Sequence, residues 1–123
     1  MTWRLRTALS FDDDVVQCLH ESDETFGPTI GHRYALLIGT GLTLIAEDPF
    51  RLGSTPSDVI RDVRLLHLRR ARRQAARIGG GIHRPRHMIA YQVDEADHVV
   101  MALRLLHEAM DIPRHLRASA VDG

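Results

Sequence analysis

Five side chains in the second half of the chain have the chemistry that cleavage of a phosphodiester requires. Arg64, Arg86 and Arg104 could stabilise negative charge at a phosphate. His87 and Tyr91 could transfer protons. Central residues of neighbouring strands lie about 5 Å apart, so the three arginines could converge on one phosphate. These five residues are therefore the candidates for a ribonuclease site.

The alternation of side chains between the two faces of a sheet argues against that site. Successive side chains of a strand point to opposite faces of the sheet, so Arg86 is out of phase with His87 and Tyr91. By the same rule, Arg104 is out of phase with His107. We therefore expect the arginines on one face and the rings on the other. This separation favours a protein that binds its target without a catalytic residue.

The eight histidines and the single cysteine do not indicate a metal site. His83 and His87 are four residues apart, but Pro85 between them prevents a regular helix that would place both rings on one face. No H-E-x-x-H motif is present, and Cys18 has only His20 close to it in sequence. We expect neither a metal nor a cofactor.

Length and composition predict one small domain. The chain has 123 residues, and its one cysteine cannot form an internal disulfide, which favours the cytoplasm. No apolar stretch reaches the length of a membrane span, and the N-terminus lacks the apolar core of a signal peptide. We therefore expect no membrane partner.

Charge is distributed unevenly along a chain whose formal net charge is zero. Residues 1–62 hold ten acidic residues against five arginines, and residues 63–123 hold eleven arginines against six acidic residues. Codon bias explains the absence of lysine equally well, but it does not explain the segregation of charge. Because guanidinium groups bind carboxylates and phosphates with two hydrogen bonds, the second half is expected to face an anionic partner.

The first half predicts one strand and a helical hairpin. Thr2–Leu9 alternates between apolar and polar residues, as a half-buried strand does. Ser10 is a helix-start signal, and helical spacing continues to about Thr25. A second helix begins at Pro28 and must end before Pro49, since proline favours a first helical turn and breaks a later one.

The second half predicts three strands, over Val63–Leu68, Pro85–Asp94 and His98–His107. The last strand is apolar enough to be buried on both faces. The fold class is therefore α+β: an N-terminal strand, an α-helical hairpin, an antiparallel three-strand meander and a short C-terminal helix. An antiparallel sheet with helices on one face is expected.

Three remaining segments connect or follow these elements. Residues 49–61 are turn-rich and predict a loop. Residues 69–81 are rich in arginine and end in three glycines, which predicts an exposed, mobile arm or a long hairpin loop. Asp111 can cap the C-terminal helix. We expect a single domain over residues 1–116 and a disordered tail over residues 117–123.

Four motifs in the same order resemble the RelE/ParE superfamily, and the resemblance covers nearly the whole chain. The last is the most specific: R-x-L-H-x-x-M-D-x-x-R-H-L begins at Arg104 and resembles the C-terminal end of ParE-type toxins. The other three are Glu24-Thr25-Phe26-Gly27, Leu44-Ile45-Ala46-Glu47-Asp48-Pro49 with Gly53, and a hairpin formed by Val63-Arg64 to Arg70 and by Arg84–Tyr91.

The resemblance implies the bacterial toxin of a type II toxin–antitoxin system, which causes growth arrest when its antitoxin is absent. ParE-type toxins inhibit DNA gyrase by binding. The implied partner is a cognate, ParD-like antitoxin of the ribbon-helix-helix type, which forms a hetero-oligomer with the toxin and alone contacts operator DNA. Two alternatives stay open. One is a ribosome-dependent mRNA endoribonuclease of RelE type, and the other is an inactive member that only forms complexes with antitoxin and DNA.

Two surfaces are predicted for the partners. A groove between the second helix and the sheet is the predicted antitoxin site, because small residues on that helix allow close approach of the first helix or of a helix from another chain. Its residues are Gly31, Tyr34, Ala35, Leu37, Ile38, Gly39, Leu42, Tyr91 and Leu105. The predicted target-binding residues are all arginines: Arg69, Arg70, Arg72, Arg73, Arg104 and Arg114.

Overall fold

The computed structural model describes residues 2–122, with the side chains of residues 2–118. Five strands and four helices form the α+β fold that the sequence predicts. The strands are β1 (Arg4–Thr7), β2 (Thr55–Pro56), β3 (Val63–His67), β4 (His87–Asp94) and β5 (Val99–His107). The helices are α1 (Leu9–Phe26), α2 (Pro28–Glu47), α3 (Arg72–Ala76) and α4 (Ile112–Asp122), and a 3-10 turn over Leu68–Ala71 precedes α3.

The sheet is mixed and has the order β1-β5-β4-β3-β2. The predicted antiparallel meander is present as β3, β4 and β5. In contrast to the fully antiparallel expectation, β1 pairs with β5 in parallel, from Arg4 opposite Val99 to Thr7 opposite Ala102. The long connection that a parallel pair requires is present, because the helical hairpin and the strands β2, β3 and β4 all lie between β1 and β5 along the chain. The loop over residues 49–61 also contains β2, a two-residue edge strand that the sequence did not indicate.

The first strand is shorter than the alternating pattern predicts. Leu9 already belongs to α1, and it is 82% exposed instead of lying on a buried strand face. Ser10 does not cap this helix, since Ala8 occupies the N-cap position. The Ser10 hydroxyl instead donates to the carbonyl oxygen of Leu103 in β5 (2.8 Å). The hydroxyl satisfies a strand acceptor that β1 does not reach.

The arginine-rich segment is packed, so the prediction of a mobile arm is wrong. Ala71 and Ala75 are fully buried, and the segment turns as the 3-10 turn followed by α3. Gly79 has a φ of +87°, which lets the chain leave the helix. A Cβ on Gly80 would lie 2.7 Å from the Leu36 Cβ of α2, so only glycine allows this close approach. Small residues fix the segment against α2.

Helices cover both faces of the sheet, which corrects the expectation of helices on one face. The larger core lies between the sheet and the α1–α2 hairpin. On the opposite face, Leu116 of α4 packs against Ala90 and Leu106. Apolar residues on both faces of β4 and β5 therefore find cover. None of the helices in the described part of the chain is long and apolar enough to span a membrane.

The C-terminal helix begins where the sequence predicts. The carboxylate of Asp111 accepts a hydrogen bond from the backbone N–H of Arg114 (3.3 Å), as an N-cap does. The helix continues to Asp122, through most of residues 117–123, while Gly123 lies outside the described residues. The division into a domain over residues 1–116 and a tail stays a prediction.

Candidate functional site

Arg104 is held by a carboxylate of α1. Its Nε donates to Oδ2 of Asp14 (2.7 Å), and its Nη2 donates to Oδ1 (3.1 Å). The same Oδ2 accepts the backbone N–H of Leu105 (3.0 Å). Because β1 ends at Thr7, α1 takes over the edge of β5, and Asp14 together with Ser10 one turn earlier replaces a strand partner. The guanidinium therefore stabilises the fold.

Arg64 and Tyr91 belong to a second internal network. Arg64 donates from Nε to the Ser54 hydroxyl (2.8 Å) and from Nη2 to the Ser54 carbonyl oxygen (3.0 Å). The Tyr91 hydroxyl donates to the carbonyl oxygen of Pro49 (2.6 Å), and its ring is fully buried. Burial raises the pKa of Tyr91. Tyr91 therefore anchors the loop before β2 and is out of reach of a substrate.

Arg86 shares Glu108 with His67. The carboxylate of Glu108 accepts from Nη1 of Arg86 (2.9 Å) and from Nε2 of His67 (2.7 Å). These two hydrogen bonds lower the pKa of Glu108 to about 2. The backbone N–H of Arg69 donates to Nδ1 of His67 (3.1 Å), so the ring proton shared with Glu108 must lie on Nε2.

The three arginines therefore do not converge on one phosphate, because each donates to a different internal partner. Parity also fails to place them on one face. Arg64 lies opposite Tyr91 in the β3–β4 register and shares the face of the rings. Arg104 lies opposite Ala90, and Tyr91 lies opposite Ala102, so β5 carries one extra residue at Leu103. This bulge has no sequence signal.

Two adjoining cavities of about 630 and 350 Å³ lie between the α1–α2 hairpin and the facing ends of β4 and β5. We call them the histidine cleft. Cys18, Glu21, His87 and His107 line both cavities. The His87 and His107 rings stand nearly perpendicular, with centroids 5.1 Å apart. Burial raises the pKa of the Cys18 thiol to about 11, which leaves it an inert small residue.

Hydrogen bonds determine which atoms of Tyr34 and His87 carry protons in the histidine cleft. The backbone N–H of Arg86 donates to the Tyr34 hydroxyl (3.2 Å), so that hydroxyl donates its own proton to Nδ1 of His87 (2.6 Å). Burial, together with the neighbouring His107, lowers the pKa of His87 to about 4, and burial raises that of Tyr34 to about 12. His87 is therefore a neutral ring with its proton on Nε2.

Hydrogen bonds occupy Nδ1 of three histidines in this region. Nδ1 of His107 accepts the backbone N–H of Ala109 (3.0 Å), as Nδ1 of His67 accepts that of Arg69. The third ring, His87, uses its Nδ1 for Tyr34. General-base catalysis needs an available lone pair near the substrate, and here hydrogen bonds occupy all three.

Most of the predicted antitoxin groove is occupied by the protein's own core. Two thirds of its residues are buried because α2 packs directly on the sheet: Gly31, Tyr34, Leu37, Ile38, Tyr91 and Leu105. The carboxylate of Asp23 in α1 occupies the space beside Gly31, so the small residues serve the hairpin there. Ala35 and Leu42 are half-buried and Gly39 is exposed, so these three can reach another chain.

Five of the predicted target-binding arginines are exposed: Arg69, Arg70, Arg72, Arg73 and Arg114. The sixth, Arg104, is 19% exposed and paired with Asp14. Sequence reasoning missed Asp14 and Glu108 as partners. The four-residue spacing of Ser10 and Asp14 on one helix face was the only available signal. Among the described residues, no group of three or more His, Cys, Asp or Glu side chains could hold a metal ion.

No family model and no curated protein matches the sequence. Solved structures do match it. A chain from the chromosomal ParDE toxin–antitoxin system of P. aeruginosa superposes with a TM-score of 0.64 at 13% identity, over 86% of this chain and 96% of that one. The chain has the RelE/ParE toxin fold.

Two further structures agree with this fold. The toxin–antitoxin complex RelBE2 from Mycobacterium tuberculosis matches with a TM-score of 0.53 at 14% identity, over 87% of this chain and 99% of that one. A mutant of the E. coli toxin RelE in its free state matches with a TM-score of 0.56 at 12% identity, over 99% and 97%. The RelE/ParE fold thus spans almost the full length of all three neighbours.

Proposed function

We propose that this protein is the toxin of a bacterial type II toxin–antitoxin pair and that it inhibits DNA gyrase by binding. A cognate ParD-like antitoxin neutralises it in a hetero-oligomer. Two of the matching structures come from a ParDE system and a RelBE2 complex, which supports an antitoxin partner. The C-terminal motif that begins at Arg104 favours the ParE type within this fold.

We favour binding over catalysis because hydrogen bonds occupy the Nδ1 lone pairs of His67, His87 and His107. A ribonuclease needs a base for the attacking hydroxyl and a cation for the phosphate. Here His67, His87 and His107 have no free Nδ1, and the guanidinium groups of Arg64 and Arg86 donate to internal acceptors. Activity that depends on surface contact alone requires none of these groups to be free.

A supercoiling assay with purified gyrase tests the target. We expect the toxin to inhibit supercoiling and the antitoxin to reverse the inhibition. Tyr34→Phe removes the proton donor to His87 and leaves the outer surface unchanged, so inhibition should persist. Absence of gyrase inhibition together with ribosome-dependent mRNA cleavage would favour the RelE-type alternative. Absence of growth arrest on expression without antitoxin would favour an inactive, complex-forming member.

The proposed antitoxin contact is the open part of the small-residue line on α2, formed by Ala35, Gly39 and Leu42. Gly39 has no heavy atom within 4 Å of a built Cβ, so a larger side chain there projects outward without disturbing the core. Gly39→Leu should weaken antitoxin binding by at least about tenfold, since a clash at a packed contact costs over 1 kcal/mol. His32→Leu, an exposed position elsewhere on α2, is the matched control.

A further inference from the structure

Five exposed guanidinium groups lie within nine residues on a rigid segment, which we call the arginine ridge. Its members are Arg69, Arg70, Arg72, Arg73 and Arg77. The ridge is rigid because Leu68, Ala71 and Ala75 beneath it are fully buried. The backbone N–H of Gly80 also donates to the carbonyl oxygen of Ala75 (2.8 Å), which closes α3. Little conformational entropy is therefore lost when a ligand binds these side chains, beyond that of the side chains themselves.

The charge of the ridge is uncompensated within the described residues. None of its five arginines lies within 4.0 Å of a carboxylate oxygen, whereas Arg86 and Arg104 do have such partners. Arg72 has an internal acceptor, but this is the uncharged carbonyl oxygen of His83 (2.8 Å). In a chain with zero net charge, such a concentration of positive charge creates a local field that attracts an anionic surface.

The composition of the ridge fits a phosphodiester backbone better than an acidic protein. A protein interface needs an apolar centre, but the positions between the arginines are alanines and Gln74, with Ala71 and Ala75 buried, and the exposed Ile78 lies beyond the last arginine, at the end of the ridge. No aromatic residue lies in the ridge to stack on an unpaired base, which favours a duplex over a single strand. Arginine forks bind phosphate oxygens in pairs.

The length of the ridge also matches a duplex strand. Arg69 and Arg77 are eight residues apart, which corresponds to about 12–16 Å along a 3-10 turn and an α-helix. One strand of duplex DNA carries a phosphate about every 3.4 Å of axis, so the ridge spans about four phosphates. We infer that the arginine ridge binds the phosphodiester backbone of duplex nucleic acid without reading its sequence. This inference rests on the proposed function in one respect: four of these arginines, Arg69, Arg70, Arg72 and Arg73, belong to the predicted target surface, and gyrase holds duplex DNA.

Binding to a labelled 20-base-pair DNA, measured by fluorescence anisotropy without gyrase, tests the inference. At 50 mM salt we expect a Kd on the order of 10 µM, with log K falling against log salt with a slope of about −4. The triple variant Arg69→Gln, Arg73→Gln, Arg77→Gln should reduce that slope by about three. The control variant Arg4→Gln, Arg6→Gln, Arg61→Gln removes the same charge from exposed positions elsewhere and should keep the slope.

Three results would overturn the inference. They are no binding of the wild type below about 100 µM, equal losses in both triple variants, and binding of polyglutamate with the same affinity and salt slope as DNA. Duplex RNA of the same length separates the two sources of phosphate, and a preference for either supports backbone binding. Equal unfolding midpoints of both variants establish that they fold. Because gyrase is absent, failure here leaves the supercoiling result, and hence the proposed function, independently measurable.

Discussion

Replacing Asp14 with alanine is expected to destabilise the protein far more than any other acidic substitution in α1. Asp14 accepts two hydrogen bonds from Arg104 and one from the backbone N–H of Leu105. The side chains of Asp14 and Arg104 are only 17% and 19% exposed. Asp14→Ala therefore removes the carboxylate from a largely desolvated guanidinium and leaves the Leu105 N–H without its acceptor.

The magnitude follows from these losses. A hydrogen bond to a charged group contributes about 1.5–3 kcal/mol, and breaking a fully buried pair costs about 3–5 kcal/mol. Residual solvent access at the sheet edge lowers the second figure, so we expect Asp14→Ala to reduce the free energy of unfolding by about 3 kcal/mol. For a domain of this size, this corresponds to a fall in Tm of roughly 10 °C.

Urea denaturation followed by the fluorescence of the single tryptophan, Trp3, measures this loss. Trp3 stacks on His98 beside β1 and reports on the same edge of the sheet. Asp13→Ala is the matched control, because Asp13 is an exposed neighbour that forms no hydrogen bond or ion pair in the described part of the chain. Asp14→Asn keeps an acceptor for Leu105 and should recover part of the loss. If Asp14→Ala costs no more than Asp13→Ala, the role assigned to this carboxylate is wrong.

Four further predictions concern stability. Gly39→Ala should raise the free energy of unfolding by about 0.5–1 kcal/mol, because it adds helix propensity in open space. Gly80→Ala should lower that free energy by about 2 kcal/mol, because the added Cβ would lie 2.7 Å from the Leu36 Cβ. Denaturation midpoints equal to that of the wild type would contradict both predictions. The pKa of Glu108 is lowered from about 4.5 to about 2 in the folded state, so the stability that its carboxylate contributes is complete above pH 4.5 and is lost as pH falls toward 2. Glu108→Gln should therefore reduce the dependence of the free energy of unfolding on pH between 4.5 and 2. The pKa of His87 is lowered from about 6.5 to about 4 in the folded state, so the stability that the neutral ring contributes is complete above pH 6.5 and falls as pH falls toward 4. His87→Phe should therefore reduce the change of Tm with pH between 6.5 and 4 in thermal melts.

Local sequence patterns correctly predicted those helices and strands whose positions depend on nearby residues alone. The prolines at positions 28 and 49 bound α2, which begins at Pro28 and ends at Glu47, because proline supplies a helix start and prevents its continuation. Alternation and apolar runs located β3, β4 and β5 to within a few residues. The same signals failed for residues 69–81, where arginines and glycines indicated mobility. Alanines at helical spacing instead pack this segment against α2.

The sequence by itself determined the order of the elements, the segregation of charge and the motifs that resemble the RelE/ParE superfamily. Only the tertiary structure decided which polar groups are free. Asp14 meets Arg104 across ninety residues because β1 ends early and leaves the edge of β5 in need of acceptors. In the same way, core packing places the Tyr34 hydroxyl within hydrogen-bond distance of Nδ1 of His87. It also buries most of the predicted antitoxin groove. Such pairings depend on which donors remain unsatisfied after the strands and helices assemble, and no local pattern encodes that.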